Sequence, residues 1–227
     1  MFSLSLFTKY CSNESKKVFE KNRQTLFFEE GQRIFNEGEQ VKGIYFIERG
    51  RIKVLSKSHD NSEKIIRLAS NEMIVGHRGL NTKVYPISAE TLSESVITFL
   101  PIEVFSSILK SNNEMAVYLI NFLSDELRDS ETRMKNLLIL DPKTRIAIIL
   151  MKLIDCFGYK KNEGNKLLSY TLSRTDIANM AGTTYETVIR TLAALKKERV
   201  IDLVGKEIAI VNAKKLNQVA TGVKGKK

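Results

Sequence analysis

The stretch from Leu172 to Ile201 constrains the fold of this chain more than any other part of the sequence, because it predicts two short helices joined by a tight turn. Ser173 is a typical helix N-cap, and Asp176, three residues later, can act as its reciprocal capping partner. Gly182 stands where the first helix must end in a left-handed residue, which glycine adopts without steric cost. We expect three residues of the first helix to face inward, namely Ile177, Met180 and Ala181.

The second helix has one apolar and one polar face. A threonine cap at Thr183 or Thr184 starts it, and the small Ala178 lets the two helices cross closely. Its inward positions recur at three- and four-residue spacing and are Val188, Leu192 and Leu195. The opposite face is free to meet another molecule and carries Tyr185, Glu186, Thr187 and Arg190. This pattern is typical of a helix-turn-helix, although an ordinary helical hairpin can show the same spacing.

The charge of the chain is unevenly distributed. Of the net +10, residues 173–227 contribute +6, since they hold 11 Lys or Arg against 5 Asp or Glu, and the first 172 residues contribute +4. An excess of cations near a candidate reading helix suits a polyphosphate partner, because phosphate neutralisation releases counterions. A basic tail alone is more often a solvated end. The length of 227 residues and the apolar share of 43% are sufficient for two domains.

Composition also disfavours several classes of protein. No apolar run approaches the roughly 20 residues of a membrane helix, and the start lacks the features of a signal peptide, so we expect a soluble, cytoplasmic protein without a membrane partner. Cys11 and Cys156 are too few for a four-thiolate zinc or iron–sulfur site, so we expect no such cofactor. His59 and His77 have neither metal-ligand spacing nor a neighbouring nucleophile motif, so we expect no metal and no enzyme.

The first half of the chain changes from helical to strand periodicity. Residues 1–25 predict amphipathic helix, with Leu4, Phe7, Val18 and Phe19 on the apolar face. From Leu26 to Pro101, short segments alternate apolar and polar residues between glycines at 31, 38, 43 and 50. Short strands with glycine turns predict a small antiparallel barrel or jelly roll, which we place in a first domain at residues 1–111.

Residues 112–140 predict one long helix with two apolar stripes. The first is a coiled-coil seam with alternating four- and three-residue steps, formed by Ala116, Ile120, Leu123, Leu127, Ser130, Met134 and Leu137. The second can face the barrel and comprises Met115, Leu119 and Phe122. A core helix that touches only its own chain is the alternative, but two separate stripes favour two partners. We therefore predict a homodimer held by Ile120, Leu123, Leu127, Met134 and Leu137.

The third domain, residues 141–227, begins at a predicted hinge. Asp141-Pro142 ends the long helix, because the residue before a proline is pushed out of helical geometry. Residues 143–159 then predict an apolar helix and residues 160–165 an exposed loop. Two short strands around Gly205-Lys206 predict a hairpin, with Lys206 at its tip placed to touch phosphate or merely solvent. We expect a disordered basic tail over residues 221–227.

A resemblance to a known family rests on Phe28 to Val54, which reads F-x-x-G-x-x-I-F-x-x-G-E-x-x-x-G-I-Y-F-I-x-x-G-x-I-K-V. This stretch resembles the cyclic-nucleotide-binding fold of the catabolite-activator and fumarate–nitrate-reductase (CRP/FNR) regulators, and the likeness extends over residues 15–212. It implies an α+β fold with an N-terminal cyclic-nucleotide-binding-like antiparallel barrel, a dimerisation helix and a C-terminal winged helix-turn-helix. It also implies a homodimeric transcription regulator whose partners are palindromic double-stranded DNA and RNA polymerase.

The same resemblance assigns roles on the second helix. Glu186 and Arg190 match the family's E-T-[VI]-x-R recognition helix, which implies base reading in a G·A-containing half-site. Tyr185 stands where one branch of the family has a second arginine. Arg174 and Lys206 are assigned to phosphate, and the remaining predicted DNA contacts are Ser173, Thr184 and Thr187. The alternatives for Glu186 are a capping-box partner of Thr183 and a surface salt bridge with Arg190.

The resemblance also locates a candidate effector pocket, formed by Gly76, His77, Arg78, Gly79, Ser88 and Ser130. His77 replaces the family's glutamate, Ile87 replaces its arginine, and Glu131 stands where a second hydroxyl is expected. Loss of the arginine removes the main partner of a bound phosphate, so we predict no cyclic AMP binding. Neither histidine matches an axial haem ligand. The effector stays open, and the alternatives are a cyclic-nucleotide-responsive regulator and a small-molecule-binding protein or enzyme without a DNA role.

Overall fold

The computed structural model describes residues 3–160 and 166–222. The chain divides into two compact units, Met1–Asp129 and Ser130–Lys227. The predicted loop at 160–165 lies outside the described residues except for Lys160, and so does the predicted tail from residue 223 onward. Thr221 and Gly222 do not belong to a disordered tail, because they end a helix.

The first unit begins with two short helices, α1 (Leu4–Tyr10) and α2 (Asn13–Asn22). Each starts at a serine whose hydroxyl accepts from the backbone N–H three residues later, at 3.2 Å in both cases. Phe7 and Phe19 are buried as predicted. Val18 is 41% exposed, so its predicted place on the buried face is wrong.

Eight strands lie in the described part of the first unit: β1 (Gln24–Phe28), β2 (Arg33–Phe35), β3 (Gly43–Arg49), β4 (Arg51–Lys57), β5 (Glu63–Ser70), β6 (Met73–Val75), β7 (Ser88–Thr91) and β8 (Ser95–Pro101). They form two antiparallel four-stranded sheets, one with the order β1-β8-β3-β6 and the other with the order β2-β7-β4-β5. Side chains from both sheets share one apolar core, with Tyr45 and Ile97 from the first sheet and Phe35 and Val54 from the second. This arrangement confirms the predicted antiparallel β domain.

Strand β3 is apolar without alternation because it is buried on both sides. Ile44 and Phe46 point away from the sheet-to-sheet core and join a second cluster with α1, α2 and the helix α3 (Ile102–Ser111). In this cluster, the ring centroid of Phe7 lies 5.2 Å from that of Phe46 and 5.6 Å from that of Phe105. The N-terminal helices therefore cover the outer face of one sheet.

Helix α4 (Asn113–Ile139) is a single helix of 27 residues. Met115, Leu119 and Phe122 are buried in the cluster with α1 and α3, so the predicted second stripe is confirmed. The predicted seam is exposed on the chain, with Ile120 61%, Leu127 61% and Met134 62% exposed.

The described residues of the second unit form four further helices and a hairpin: α5 (Pro142–Phe157), α6 (Arg174–Ala181), α7 (Tyr185–Lys197), β9 (Ile201–Val204), β10 (Glu207–Ile210) and α8 (Ala213–Thr221). Asp141 caps α5 by accepting from the backbone N–H of Thr144 at 3.1 Å, so the predicted break also starts the next helix. Helix α8 was not predicted. Residues 166–168 add to the hairpin, where Lys166 accepts from the backbone N–H of Ile210 at 2.8 Å. No helix in the described ranges is long and apolar enough to cross a membrane.

Candidate nucleic-acid interface

The turn between α6 and α7 is built as the sequence predicts. The Ser173 hydroxyl accepts from the backbone N–H of Asp176 at 3.0 Å and donates to its carboxylate at 2.7 Å. Gly182 has φ 57° and ψ 47°, a left-handed conformation that disfavours other residues. Ile177 and Ala181 are buried, but Met180 is only half-buried, so its predicted inward position is partly wrong.

Thr184, and not Thr183, caps the second helix. Its hydroxyl accepts from the backbone N–H of Thr187 at 3.3 Å, which makes Tyr185 the first helical residue. A capping-box partner sits at the third helical position, and Thr187 occupies that position here. Glu186 is therefore not the return partner of a cap at Thr183.

The predicted contact residues form an exposed group at the N-terminal end of α7. Thr184, Tyr185, Glu186 and Arg190 are exposed, and Thr187 is half-buried. Val188, Leu192 and Leu195 on the opposite side are buried as predicted. The backbone N–H of Glu186 and the Thr184 hydroxyl lower the pKa of the Glu186 carboxyl, so it is an ionised acceptor at neutral pH.

Arg190 keeps most of its donors available. Its Nη2 donates weakly to the Thr187 hydroxyl at 3.4 Å. No carboxylate of the described residues lies within 4.0 Å of its guanidinium, so Glu186 and Arg190 form no direct salt bridge, although the charge of Arg190 contributes to the lowered pKa of Glu186. By contrast, other cationic side chains of the second unit are paired, with Lys143 Nζ at 2.6 Å from Glu198 and Lys196 Nζ at 2.7 Å from Asp202.

The β9–β10 hairpin lies beside the start of α6. Val204 pairs with Glu207, which leaves Gly205 and the exposed Lys206 at the tip. The Arg174 Nη1 donates to the Lys206 carbonyl at 3.0 Å, so Arg174 joins the hairpin tip to the first helix. Partial burial lowers the pKa of the Arg174 guanidinium. Arg174 therefore has a structural contact that the sequence did not reveal.

The predicted effector residues are only partly brought together in the first unit. Gly76, His77, Arg78 and Gly79 form one short 3-10 turn after β6, and Gly76 has φ 90° with no room for a side chain, since a Cβ would lie 2.9 Å from the Gly43 carbonyl. Ser88 is buried on β7, where its hydroxyl accepts from the backbone N–H of Glu37 at 2.9 Å.

Ile87 is buried in the apolar core of the two sheets. Ser130, the remaining predicted effector residue, is half-buried in α4 and belongs to the second compact unit.

His77 faces helix α4. It is 3% exposed, its ring centroid lies 5.2 Å from that of Phe122, and its Nε2 lies 3.8 Å from Glu126 Oε2, which is beyond hydrogen-bond distance. Neither ring nitrogen has a hydrogen-bond partner among the described residues. Burial lowers the pKa of His77, and the positive charges of Arg67 and Arg78 lower it further, against the opposing effect of Glu126. His77 is thus held neutral.

Glu126 is the centre of this cluster. Arg67 Nη2 lies 3.2 Å from Oε1, and Arg78 Nη2 lies 3.7 Å from Oε2. Burial alone raises the pKa of Glu126, but the Arg67 and Arg78 guanidinium groups, together with the His77 imidazole once it is protonated, outweigh this effect and lower the pKa to about 2. Sequence reasoning missed Arg67 and Glu126. A signal for Glu126 exists, since it follows Phe122 by one helical turn on the buried stripe of α4.

A β domain joined by a long helix to a winged helix-turn-helix defines a DNA-binding transcription regulator, and comparison with known proteins agrees. The model of the Crp-like helix-turn-helix domain matches residues 144–219, and that of the cyclic nucleotide-binding domain matches residues 25–112. The chain belongs to the CRP/FNR family of transcriptional regulators, which are not enzymes and bind DNA as dimers.

Individual relatives are distant. The transcriptional activator protein Anr of Pseudomonas protegens is 28% identical over 195 residues, 85% of this chain and 78% of the relative. The fumarate and nitrate reduction regulatory protein of Vibrio cholerae is 24% identical over 192 residues, 85% and 76% of the two chains. A solved Crp/Fnr-family regulator from Eubacterium rectale superposes with a TM-score of 0.76 at 17% identity, covering 95% of this chain and 97% of its own, which shows the shared fold.

Proposed function

We propose that this chain acts as a homodimer that binds palindromic double-stranded DNA through α7 and the hairpin tip. The observation that carries the proposal is the exposed group of Tyr185, Glu186 and Arg190 at the N-terminal end of α7. This end of a recognition helix meets base edges when the helix enters the major groove. An ionised Glu186 accepts from a cytosine amino group, and Arg190 donates to guanine O6 and N7.

Contacts to phosphate surround this group. Lys206 at the exposed tip has no carboxylate within 4.0 Å among the described residues, which leaves its charge available for phosphate. Arg174 supplies a second cation with donors beyond the one bound to the Lys206 carbonyl. Ser173 and Thr184 lie at the starts of α6 and α7, where helix N-termini favour anions. These contacts position the protein without selecting sequence.

The dimer is supported by the exposed face of α4. Ile120, Leu123, Leu127, Met134 and Leu137 are all exposed, and they follow the spacing of a coiled-coil seam. Apolar residues repeated along one helix face at this spacing fit a second copy of the same helix. Two copies related by a two-fold axis present two recognition helices, which requires a palindromic site with halves about 34 Å apart.

Selection from random double-stranded DNA with the full chain tests this function. We expect recovered sequences to converge on a palindrome with G·A in each half-site and half-site centres about one DNA turn apart. A parallel selection with Glu186→Ala/Arg190→Ala is the control, and it should lose the consensus while keeping weak binding. Convergence on an unsymmetrical site, or no convergence by the unmodified chain, would contradict the proposal.

We also propose that the β domain does not bind cyclic AMP. Ile87 is part of the apolar core and offers no charge to a phosphate, and His77 is buried against Phe122 and Glu126. Isothermal calorimetry with cyclic AMP should show no binding at ligand concentrations up to the millimolar range typical of weak sites, about 1 mM. Micromolar binding would overturn this part of the proposal. We place the protein in the cytoplasm, acting on RNA polymerase at its operators.

A further inference from the structure

Arg145, on the first turn of α5, donates to four backbone carbonyls from two different helix ends. Its Nε donates to Ala181 at 2.7 Å and its Nη2 to Gly182 at 3.2 Å, both at the end of α6. Its Nη1 donates to Leu140 at 2.7 Å and to Leu137 at 3.1 Å, both at the end of α4. One side chain therefore ties the end of the long helix to the turn of the helix-turn-helix.

The chemistry of this contact requires an arginine. The last carbonyls of a helix lack partners within the helix and carry a partial negative charge, so a cation that donates to them is favoured. A guanidinium presents five donors in a rigid planar fork, and here its three nitrogens divide between the two helix ends. A lysine ammonium is a single point that cannot span both sets at these distances.

A side-chain contact reinforces the same junction. Leu137 Cδ2 lies only 2.9 Å from the position that a Cβ on Gly182 would take, so the leucine packs directly on the turn. Gly182 lies two residues before Thr184, which is the N-cap of α7. The start of the recognition helix is thus fixed by short connections to the end of α4.

We propose that Arg145 is a positioning residue that fixes the recognition helix against the dimerisation helix and thereby sets the spacing between the two DNA half-sites. This inference rests on the proposed dimeric function. A dimer whose recognition helices are rigidly held binds both halves only at one separation, whereas a loosened connection tolerates several. Moving the half-sites by one base pair shifts them by about 3.4 Å and rotates them, which a rigid dimer detects.

The test compares operators whose central spacer is changed by one or two base pairs in either direction. For Arg145→Gln and Arg145→Lys, we expect the preference for the best spacer over its neighbours to fall by about tenfold or more, with single half-site affinity changed less than about twofold. Lys143→Gln is the matched control, because it removes a cation from the same helical turn whose contact is to Glu198 and not to α4. Its spacing profile should match that of the unmodified protein.

Folded Arg145 variants with an unchanged spacing profile would overturn the proposal. Failure of the milder Arg145→Lys to fold would also overturn it, because the residue would then serve the fold and not the spacing. Circular dichroism and sizing of each variant separate these cases.

A second measurement is independent of DNA. Two spin labels report the distance between α4 and α7 within one chain. They are attached at Lys135→Cys on α4 and Lys197→Cys on α7, in a background with Cys156→Ser and with one labelled chain per dimer. We expect a narrow distance distribution in the parent and a broad one with Arg145→Lys. If the parent protein shows no preference for one operator spacing, the proposed dimeric function is wrong. If the distance distribution is equally narrow in the parent and in Arg145→Lys, the proposed role of Arg145 is wrong.

Discussion

At the scale of single residues, charge pairing separates surface residues that hold the fold from those available to a partner. Lys143 forms a salt bridge with Glu198, and Lys196 forms one with Asp202. Among the described residues, Arg190 makes one long hydrogen bond of 3.4 Å, to the Thr187 hydroxyl. A guanidinium that has no carboxylate within 4.0 Å among the described residues, near the start of an exposed helix, suits the proposed donation to a base.

Arg190→Ala should weaken binding to the preferred operator by about 1–3 kcal/mol and leave binding to random DNA nearly unchanged. The reason is that a bidentate contact to guanine is lost, whereas a phosphate contact acts on every sequence alike. Fluorescence anisotropy with both DNAs measures the two changes.

Arg174→Ala is the comparison for this experiment. It should weaken binding to both DNAs and reduce the slope of log affinity against log salt by roughly 1. Equal losses on specific and random DNA for Arg190→Ala would show that Arg190 contacts phosphate and that the assigned roles are wrong.

At the scale of elements, helix α4 carries two apolar stripes, one buried in the first unit and one exposed. Met115, Leu119 and Phe122 pack into the first unit, while Ile120 and Leu127 remain exposed. Glu126 shows how closely the two surfaces approach, since it neighbours Leu127 in sequence and yet contacts Arg67. Ile120 and Leu127 are therefore available to a second chain in the proposed dimer.

Replacing Leu123 and Leu127 by Glu should convert the dimer to monomers, because like charges would face each other across the seam. Both residues are exposed on the chain, so the monomer should remain folded. Sedimentation velocity gives the mass, and binding to a two-half-site operator should fall to the level of a single half-site.

Asn121→Glu, a charge placed on another exposed position of α4, is the matched control and should leave the dimer intact. An unchanged dimer in the double leucine variant would show that the seam lies elsewhere.

At the scale of the whole molecule, stability should depend on pH through the cluster around Glu126. The pKa of His77 is lowered from 6.5, so the folded protein binds fewer protons than the unfolded chain just below that pH. The contribution of His77 to the free energy of unfolding is therefore fully present above pH 6.5. It is lost as the pH falls toward the lowered pKa of His77 in the folded protein. Glu126, lowered from 4.5 to about 2, adds a second loss between those two values.

The free energy of unfolding should consequently drop between pH 7 and pH 5, and His77→Gln should flatten this drop. One proton accounts for at most about 1.4 kcal/mol per pH unit. Urea unfolding followed by circular dichroism at several pH values measures the slope.

His59→Gln is the matched control, because it removes an exposed histidine that does not belong to the cluster of His77, Glu126, Arg67 and Arg78. The same slope in the unmodified protein and in His77→Gln would refute the assignment of this titration to His77.

The sequence predicted those features that depend on local geometry. The left-handed Gly182, the two helices around it, the hairpin at Gly205 and both stripes of α4 follow from residue spacing, because helix and strand periods and glycine turns are set by neighbours along the chain. The choice of Thr184 over Thr183 as cap did not follow, since either hydroxyl suits that role. Helix α8 lay partly within a stretch interpreted as tail.

Tertiary structure alone decided which distant residues meet. Arg67 and Glu126 are 59 positions apart in the numbering, and Arg145 reaches carbonyls 36 and 37 positions away. Such contacts depend on how whole elements pack, and backbone carbonyls have no signature in the amino-acid sequence. The sequence by itself therefore predicted most helices and strands, though not α8, and the candidate base-contacting face of α7. Packing determined that His77 is buried beside Glu126 and that Arg145 joins two helix ends. The reason is that burial and hydrogen bonding depend on which groups from other elements surround a side chain.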